Sequence, residues 1–345
     1  MSGVRRAAWL LGLGVVAVGS LMVWQLLGAA QKGRHGRVGD GKDPATYGFA
    51  LDLPDPLAAT VTASGLARDG LHPLSHPPLL SPAQVDSLNH AERGKYLVST
   101  DLVLGVLRGG VARAWPLRML DWHECANDTV GGEPLVAVWS PLAGCARVFH
   151  AGRNESGVRS FASSGLLAAS TPLLYVRGDT LSLWSPVSGA AVSGPAAAAA
   201  QVLQDVPAIV CDWASWRTMH PETTVPWPDP EYRKRYKSEP YFAYRHGGRL
   251  RFPVTDPGQE PLRRRLVLQD AAGTALVDLV AAPASGGWTV RHGGRSFTLT
   301  AGAAAGVEAP PVWLEGGETR DDVRAWPVFD FAWRAFGQPD VEVLP

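Results

Sequence analysis

The stretch "LVLGVLRGGVARAWPL", from Leu102 to Leu117, has the pattern of a β-hairpin. Apolar residues alternate along both halves, and the pair Gly109–Gly110 between them is a strong turn signal. Comparable runs follow in "TPLLYVRGDTLSLWSPV", "RRLVLQDAAGTALVDLV" and "GWTVRHGGRSFTLTA". The sequence therefore predicts a mainly β (α+β) protein of strand-rich hairpin sheets with short helices.

The composition describes an ordinary globular interior. The 345 residues are 46% apolar and contain 32 basic and 32 acidic side chains. This balance gives no bulk charge that would attract nucleic acid, so we expect no nucleic-acid partner. The 13 Trp, 28 Pro and 38 Gly residues favour short strands joined by tight turns.

The N-terminus has the pattern of a membrane segment. Arg5 and Arg6 precede a run without charged residues from Ala7 to Ala30, which is long enough for a helix that spans a bilayer. We predict an uncleaved signal anchor, a transmembrane helix, over residues 1–30, with a cleaved signal peptide as the alternative. The membrane would then be one partner, and the folded body would lie outside the cytoplasm, on the periplasmic or extracellular face.

Composition suggests three further parts of the chain. Residues 31–67 form a linker and extended segment, 68–255 a folded core, and 256–345 a C-terminal strand-rich extension. A faint similarity between "DWASWRTMHPETTV" from Asp212 and "DFAWRAFGQPDVEV" from Asp330 predicts that the extension is a second related subdomain. Chance similarity is the alternative.

Four segments between the hairpins are interpreted by their start and stop signals. In "SPAQVDSLNHAERG", Ser81 as N-cap and Pro82 at the first position predict a helix. A short helix begun by Pro116 is predicted for "PLRMLDWHECANDTVGG", ending before Gly131, and a brief helix for "ASWRTMHP". The aromatic, basic stretch "WPDPEYRKRYKSEPYFAY" is interpreted as a long loop.

Five ordered blocks carry a resemblance to a known family. They are "RDGLHPLSHP", "DLVLGVLRGGVARAWPLRMLDWHECANDTVGGEPLVAVWSPLAGCARVF", "SGLLAASTPLLYVRGDTLSLWSPVSG", "WRTMHPET" and "EPYFAY". Together they resemble the bacterial domain of unknown function 3179 (DUF3179) family from about Arg68 to Val254. The resemblance implies an exported or membrane-anchored protein, which agrees with the N-terminus, and it implies no particular activity.

One bend departs from the family pattern. The family usually has Cys-Pro-Leu-Cys where this chain has Ser140, Pro141, Leu142 and Ala143. Two thiolates on one turn can exchange disulfides or hold a soft metal, whereas a hydroxyl and a methyl group cannot. Cys145 lies two residues further on, where its side chain leaves the bend in another direction.

His123 matches the family's "WHE" block and is a candidate ligand or acid/base group. On an ideal helix His123 and Cys125 point about 200° apart, so they cannot share one metal ion. A metal site of His123 with Cys145 is one hypothesis; a core histidine that caps or forms a hydrogen bond is the alternative. Glu124 and Asp128 would share one face of that helix. They are candidates for the site, and the alternative is that both acids lie on a solvated surface of the helix.

The remaining candidates are sulfur and aromatic groups. Cys125, Cys145 and Cys211 either include one disulfide, with Cys125 and Cys145 closest in sequence, or are three buried thiols. Trp184 is either a core ring whose N–H finds a carbonyl or one wall of a ligand groove.

Two function classes remain. The first is a non-catalytic binding or scaffold module, anchored in the membrane, with a small molecule or protein of the cell envelope as partner. Its candidate ligand-binding residues are His123, Glu124, Ser140, Cys145 and Trp184; no catalytic residue and no cofactor is assigned. The second is a metal-linked or redox protein that uses His123 and Cys145.

Overall fold

The computed structural model describes residues 38–91, 96–179, 181–280, 282–303, 310–337 and 341–344. The predicted signal anchor over residues 1–30 and the first part of the linker lie outside these ranges. Within them, no helix combines the length and the apolar character that crossing a bilayer requires.

The predicted strand-rich class is confirmed. In chain order the strands are β1 (Thr62–Ala63), β2 (Leu74–Ser75), β3 (Leu79–Leu80), β4 (Leu102–Arg108), β5 (Val111–Pro116), β6 (Cys125–Val130), β7 (Glu133–Ser140), β8 (Cys145–His150), β9 (Arg153–Asn154), β10 (Gly157–Val158), β11 (Phe161–Ala168), β12 (Thr171–Val176), β13 (Leu183–Trp184), β14 (Ala191–Ser193), β15 (Asp205–Val206), β16 (Ile209–Asp212), β17 (Val225–Pro226), β18 (Arg264–Asp270), β19 (Gly273–Asp278), β20 (Gly286–His292), β21 (Arg295–Ala301), β22 (Val312–Leu314), β23 (Val323–Phe329) and β24 (Glu342–Leu344).

The helices are short. They are α1 (Pro82–Ala91), α2 (Leu117–Leu120), α3 (Gly194–Ala198), α4 (Trp213–Met219), α5 (Phe242–Gly247) and α6 (Asp330–Phe336), with 3₁₀ turns at Pro44–Tyr47, Ala58–Thr60 and Arg235–Lys237. At the start of α1, Ser81 and Gln84 each accept the other's backbone N–H through a side-chain oxygen, which is a capping box. The predicted helices α1 and α4 are therefore confirmed.

Each hairpin predicted from alternating residues forms. β4 pairs with β5 across Gly109–Gly110, β12 with β13, β18 with β19 and β20 with β21, all antiparallel. The predicted loop from Trp227 to Tyr244 is irregular apart from the 3₁₀ turn at Arg235–Lys237, and the loop prediction is wrong for its last residues, which belong to α5 from Phe242. The turn residues and the alternation of apolar residues therefore predict these strand pairings correctly.

The helix predicted from Pro116 to before Gly131 is wrong beyond its first turn. Helix α2 ends at Leu120, and residues from Cys125 onwards form β6, which pairs with β7 across the Gly131–Gly132 turn. Glu124 has a φ of 58°, in the left-handed region, which no right-handed helix contains. The helical angle between His123 and Cys125 therefore does not apply to this protein.

One strand arrangement occurs twice along the chain. β16 pairs antiparallel with β4 of the β4–β5 hairpin, and Thr224 forms a parallel bridge to Arg113 of β5. Likewise β23 pairs antiparallel with β18 of the β18–β19 hairpin, and β24 pairs parallel with β19. A helix follows directly after β16 and after β23.

Three consecutive antiparallel strands follow each of these hairpins. The first three, β6, β7 and β8, belong to a five-stranded sheet of order β15-β8-β7-β6-β2, and the second three, β20, β21 and β22, form a sheet of their own. In the first arrangement the hairpin turn Gly109–Gly110 is followed by the turn Gly131–Gly132. In the second, the turn Ala271–Ala272 is followed by the turn Gly293–Gly294. The sequence distance between the two turns is the same in both arrangements. We call strands β4–β8, β16 and β17 the first unit and strands β18–β24 the second unit, and propose that the two are related.

The two units pack against each other through equivalent elements. The Phe329 amide at the end of β23 donates to the carbonyl of Ala143, which follows β7. In the reciprocal position, Gly302 after β21 lies so close to Asp212 at the end of β16 that a Cβ would overlap its carboxylate. The units thus share apolar cores across this contact, and the predicted boundary between residues 255 and 256 stays a prediction.

Candidate functional site

The bend after β7, from Ser140 to Gly144, is buried from both sides. The Ser140 hydroxyl accepts the Ala143 amide at 3.3 Å, and the Tyr244 hydroxyl of α5 donates to the Leu142 carbonyl at 2.8 Å. Gly144 adopts a φ of 62°, and a Cβ there would lie 2.9 Å from the Phe329 ring. Helix α5 and strand β23 therefore close over the bend, which is an ordered part of the core.

A cavity of about 310 Å³ adjoins this bend between the two units. Trp139 and Gly144 line it from the first unit, and Val328 and Phe329 from the second. Its other described lining residues are Leu102, Val210, Arg245, His246, Leu262, Arg264, Arg265, Pro311, Val312 and Pro327. We call this cavity the inter-unit cleft.

The inter-unit cleft lies where equivalent positions of the two units face each other. Leu102 and Arg264 begin the first strand of each hairpin, and both line the cleft. Val210 and Pro327 occupy the strands that pair with those two, and both line it as well. Both copies of the repeated arrangement therefore contribute to the cleft. At these equivalent positions the first unit has the uncharged Leu102, whereas the second unit has the charged Arg264.

Hydrogen bonds fix the tryptophan wall of the cleft. The Trp139 indole N–H donates to Oδ1 of the buried Asp121 at 2.8 Å, and its backbone N–H donates to the Glu124 carbonyl at 2.8 Å. Because both ends of the residue are held, the ring is preorganised before any ligand arrives.

The basic side chains of the cleft are also oriented. Arg265 pairs with Asp330 at 3.0 Å and with Asp278 at 3.1 Å, and Arg264 donates to the Pro310 carbonyl at 3.0 Å. Arg245 and His246 complete a basic group in the lining, which contains no Asp or Glu among its described residues.

Glu124, whose backbone carbonyl accepts the Trp139 amide, has a buried carboxyl group. Burial raises its pKa to about 7, and a hydrogen bond with Ser163 opposes that rise only in part. Its Oε2 atom has no hydrogen-bond partner within the described ranges. Asp128 is buried as well, paired with Arg113, so the solvated face proposed for these two acids is wrong.

His123 points away from Glu124 and is held by two hydrogen bonds. Its Nδ1 lies 2.6 Å from the His72 carbonyl oxygen, so Nδ1 carries the proton, and Nε2 accepts the Tyr236 hydroxyl at 2.6 Å. The Tyr232 ring packs against it at 4.6 Å. Burial lowers the pKa of His123, which favours the neutral ring. This arrangement matches the alternative of a core histidine.

Replacing His123 with alanine is expected to destabilise the protein by roughly 2–4 kcal/mol, because the His72 carbonyl and the Tyr236 hydroxyl both lose a buried partner. Tyr236→Phe, which removes one of the two bonds, should cost about half as much. Urea unfolding followed by circular dichroism measures both variants. Equal stability of His123→Ala and the wild type would contradict this role.

The three cysteines are buried free thiols, so the predicted alternative of a Cys125–Cys145 disulfide is not formed. The Cys145 thiol contacts the Pro186 carbonyl at 3.7 Å, and burial raises its pKa to about 12. Burial also raises the pKa values of Cys125 and Cys211. None of these thiols is an activated thiolate at neutral pH.

The other sequence candidates lie apart from one another. The partners of His123 are His72 and Tyr236, whereas Cys145 faces Pro186. Over the part of the chain that the structure describes, no three His, Cys, Asp or Glu residues are grouped so that they could hold a metal ion.

Trp184 lies in a buried core cluster with Phe161, whose ring it meets edge-on at 6.1 Å. Its indole N–H finds no acceptor within the described ranges, contrary to the expected carbonyl partner. Neither Trp184 nor Ser140 is among the residues that line the inter-unit cleft. The sequence analysis singled out the bend beside the cleft but not Arg264, Arg265 and Phe329, which come from the C-terminal extension.

Comparison with known proteins gives one match. The model of the family described as "Protein of unknown function (DUF3179)" matches residues 75–309. No curated protein and no solved structure was found to match the chain.

Proposed function

The chain belongs to the DUF3179 family, and we propose that it is a binding module whose inter-unit cleft takes a small ligand with an apolar body and an anionic group. One observation carries this proposal: the cleft combines an apolar lining with Arg245, Arg264 and Arg265. Ligand sites are typically concave, largely apolar and equipped with a few polar groups that orient the ligand.

The basic residues favour an anionic end group. A guanidinium offers several N–H donors in a planar fork that matches a carboxylate or phosphate. Arg264 and Arg265, at the start of β18, are both among the residues that line the cleft. Trp139, Val328 and Phe329 supply apolar surface for the ligand body.

Membrane attachment is part of the same proposal. It rests on the uncharged run from Ala7 to Ala30, which suits a signal anchor with the folded body outside the cytoplasm. The ligand would then be a small molecule, or an exposed group of a protein, in the cell envelope.

The alternative of a metal-linked or redox protein has less support. Both ring nitrogens of His123 are engaged in hydrogen bonds, so a metal ion would have to displace the Tyr236 hydroxyl or the His72 carbonyl. Cys145 would have to lose a proton from a buried thiol whose pKa is about 12. Both steps oppose metal binding at neutral pH.

Calorimetric titration of the full-length protein with hexanoate, n-hexanol and hexylammonium tests the binding proposal. Hexanoate should bind saturably and the other two more weakly, because only hexanoate pairs with the arginines. Arg264→Gln should raise the Kd for hexanoate about tenfold, a loss of about 1.4 kcal/mol. Arg153→Gln, at an exposed site on β9, is the matched control and should leave it unchanged. Equal affinity for hexanoate and hexylammonium would refute the proposed ligand class.

A further inference from the structure

A second cleft of about 480 Å³ lies between the segment "HPLSHPP", residues 72–78, and the segment from Trp227 to Tyr232. It is lined by different residues from the inter-unit cleft. Its walls include Trp227, Asp229, Glu231 and Tyr232 on one side and His72 and His76 on the other.

The two walls are fixed to the body of the protein. Strand β17 pairs with β3 next to the cleft, and the Trp227 amide donates to the Pro78 carbonyl at 2.7 Å. On the opposite wall, the His76 amide donates to the Asn127 carbonyl of β6 at 2.9 Å. The Tyr232 ring rests against His123 at the base. The cleft is therefore formed without a ligand.

One aromatic side chain that lines this cleft is exposed to solvent. Trp227 is 43% exposed although its backbone is held by the Pro78 carbonyl. An exposed ring that lines a cleft offers an aromatic face to a ligand. The Tyr232 ring lies in the same wall, but the Arg235 guanidinium is 5.0 Å from its centroid, so Trp227 offers the open face.

The same wall carries negative charge. Asp229 accepts the Glu231 amide through Oδ1 at 2.9 Å, which orders the turn that holds both carboxylates. No lysine or arginine is among the described residues that line the cleft. The lining is therefore acidic and aromatic.

We propose that this second cleft binds an organic cation, an alkylammonium or quaternary ammonium group, against the exposed Trp227 ring and the carboxylates of Asp229 and Glu231. Aromatic faces attract ammonium groups, and such contacts strengthen when the cation is partly desolvated in a cleft. The carboxylates add charge-assisted hydrogen bonds to an ammonium that carries N–H groups. The proposal does not depend on the inter-unit cleft, which favours the opposite charge.

Titration of the full-length protein with n-butylammonium, tetramethylammonium, n-butanol and butyrate tests the second cleft. Both cations should shift the side-chain NMR signals of Trp227 and bind saturably, whereas n-butanol and butyrate should not. The double variant Asp229→Asn with Glu231→Gln keeps the shape of both side chains and should raise the Kd for n-butylammonium about tenfold or more. Trp227→Ala should weaken tetramethylammonium most, because that cation cannot donate hydrogen bonds.

Arg264→Gln is the matched control, since it alters the other cleft and should leave cation binding unchanged. Three results would overturn the proposal: n-butanol binding as tightly as n-butylammonium, unchanged cation affinity in the double variant, or no saturable response of Trp227 to either cation. Each of these outcomes is independent of how hexanoate binds, so failure of one cleft does not imply failure of the other.

Discussion

Glu124→Gln is expected to stabilise the folded protein by roughly 3 kcal/mol above pH 7. The pKa of this carboxyl rises from 4.5 to about 7 on folding, because it is buried with only Ser163 as a partner. Below about pH 4.5 the raised pKa does not reduce the free energy of unfolding, because the carboxyl is protonated in both the folded and the unfolded protein. As the pH rises from about 4.5 to about 7 the free energy of unfolding falls, and the full loss is reached above pH 7. Each pKa unit corresponds to about 1.36 kcal/mol.

Urea unfolding at about pH 4.5 and about pH 8 measures this effect. The free-energy difference between Glu124→Gln and the wild type should be close to zero at the lower pH and roughly 3 kcal/mol at the higher. Glu222→Gln, at an exposed position, is the control for the change from Glu to Gln itself. A difference between Glu124→Gln and the wild type that is the same at both pH values would contradict a raised pKa of Glu124 in the folded protein.

Asp128→Ala is expected to destabilise the protein by roughly 3–5 kcal/mol, because it leaves a buried guanidinium without its counter-charge. Asp128 on β6 pairs with Arg113 on β5, and both side chains are buried. Arg113 also donates to the Thr224 hydroxyl at 2.8 Å, beside the parallel bridge that joins the two residues. The substitution therefore weakens the contacts that join β5, β6 and the segment at Thr224.

Glu133→Ala is the control for Asp128→Ala. Glu133 pairs with Arg108 at 3.1 Å, but both side chains are partly exposed, so its loss should cost no more than about 1 kcal/mol. The double substitution of Arg113→Met with Asp128→Leu should recover much of the lost stability, because it removes the unpaired charge. Similar unfolding midpoints for the two single variants would contradict this account.

The hairpins could be predicted from sequence because their information is local. Gly109–Gly110, with alternating residues on each side, sets the turn and the register of β4 and β5 together. The start of α1 is equally local, since Ser81 and Gln84 cap the helix by themselves. Neither needs knowledge of distant residues.

Strand β6 could not be predicted because its polar residues are satisfied by distant partners. Asn127 forms two hydrogen bonds with the backbone of Phe161, and Asp128 pairs with Arg113. In sequence these residues look like the polar face of a helix. Only the folded sheet shows that they are interior groups with partners.

The site was predictable only in part for the same reason. The bend that begins at Ser140 adjoins the cleft through Gly144, but Arg264, Arg265 and Phe329 reach the cleft through the pairing of β18 and β23 far along the chain. His123 and Glu124 are neighbours in sequence, yet the left-handed backbone at Glu124 lets their side chains face Tyr236 and Ser163 respectively. Their adjacency alone could not distinguish these surroundings.

The most direct test of the account is to locate a bound anion in a crystal of the full-length protein. The bromine of 6-bromohexanoate gives an anomalous signal that marks the apolar end of the probe. The account predicts a peak in the inter-unit cleft between Trp139 and Phe329, with the carboxylate near Arg264. A bromine peak beside Trp227 or elsewhere on the surface, with the inter-unit cleft empty, would contradict it.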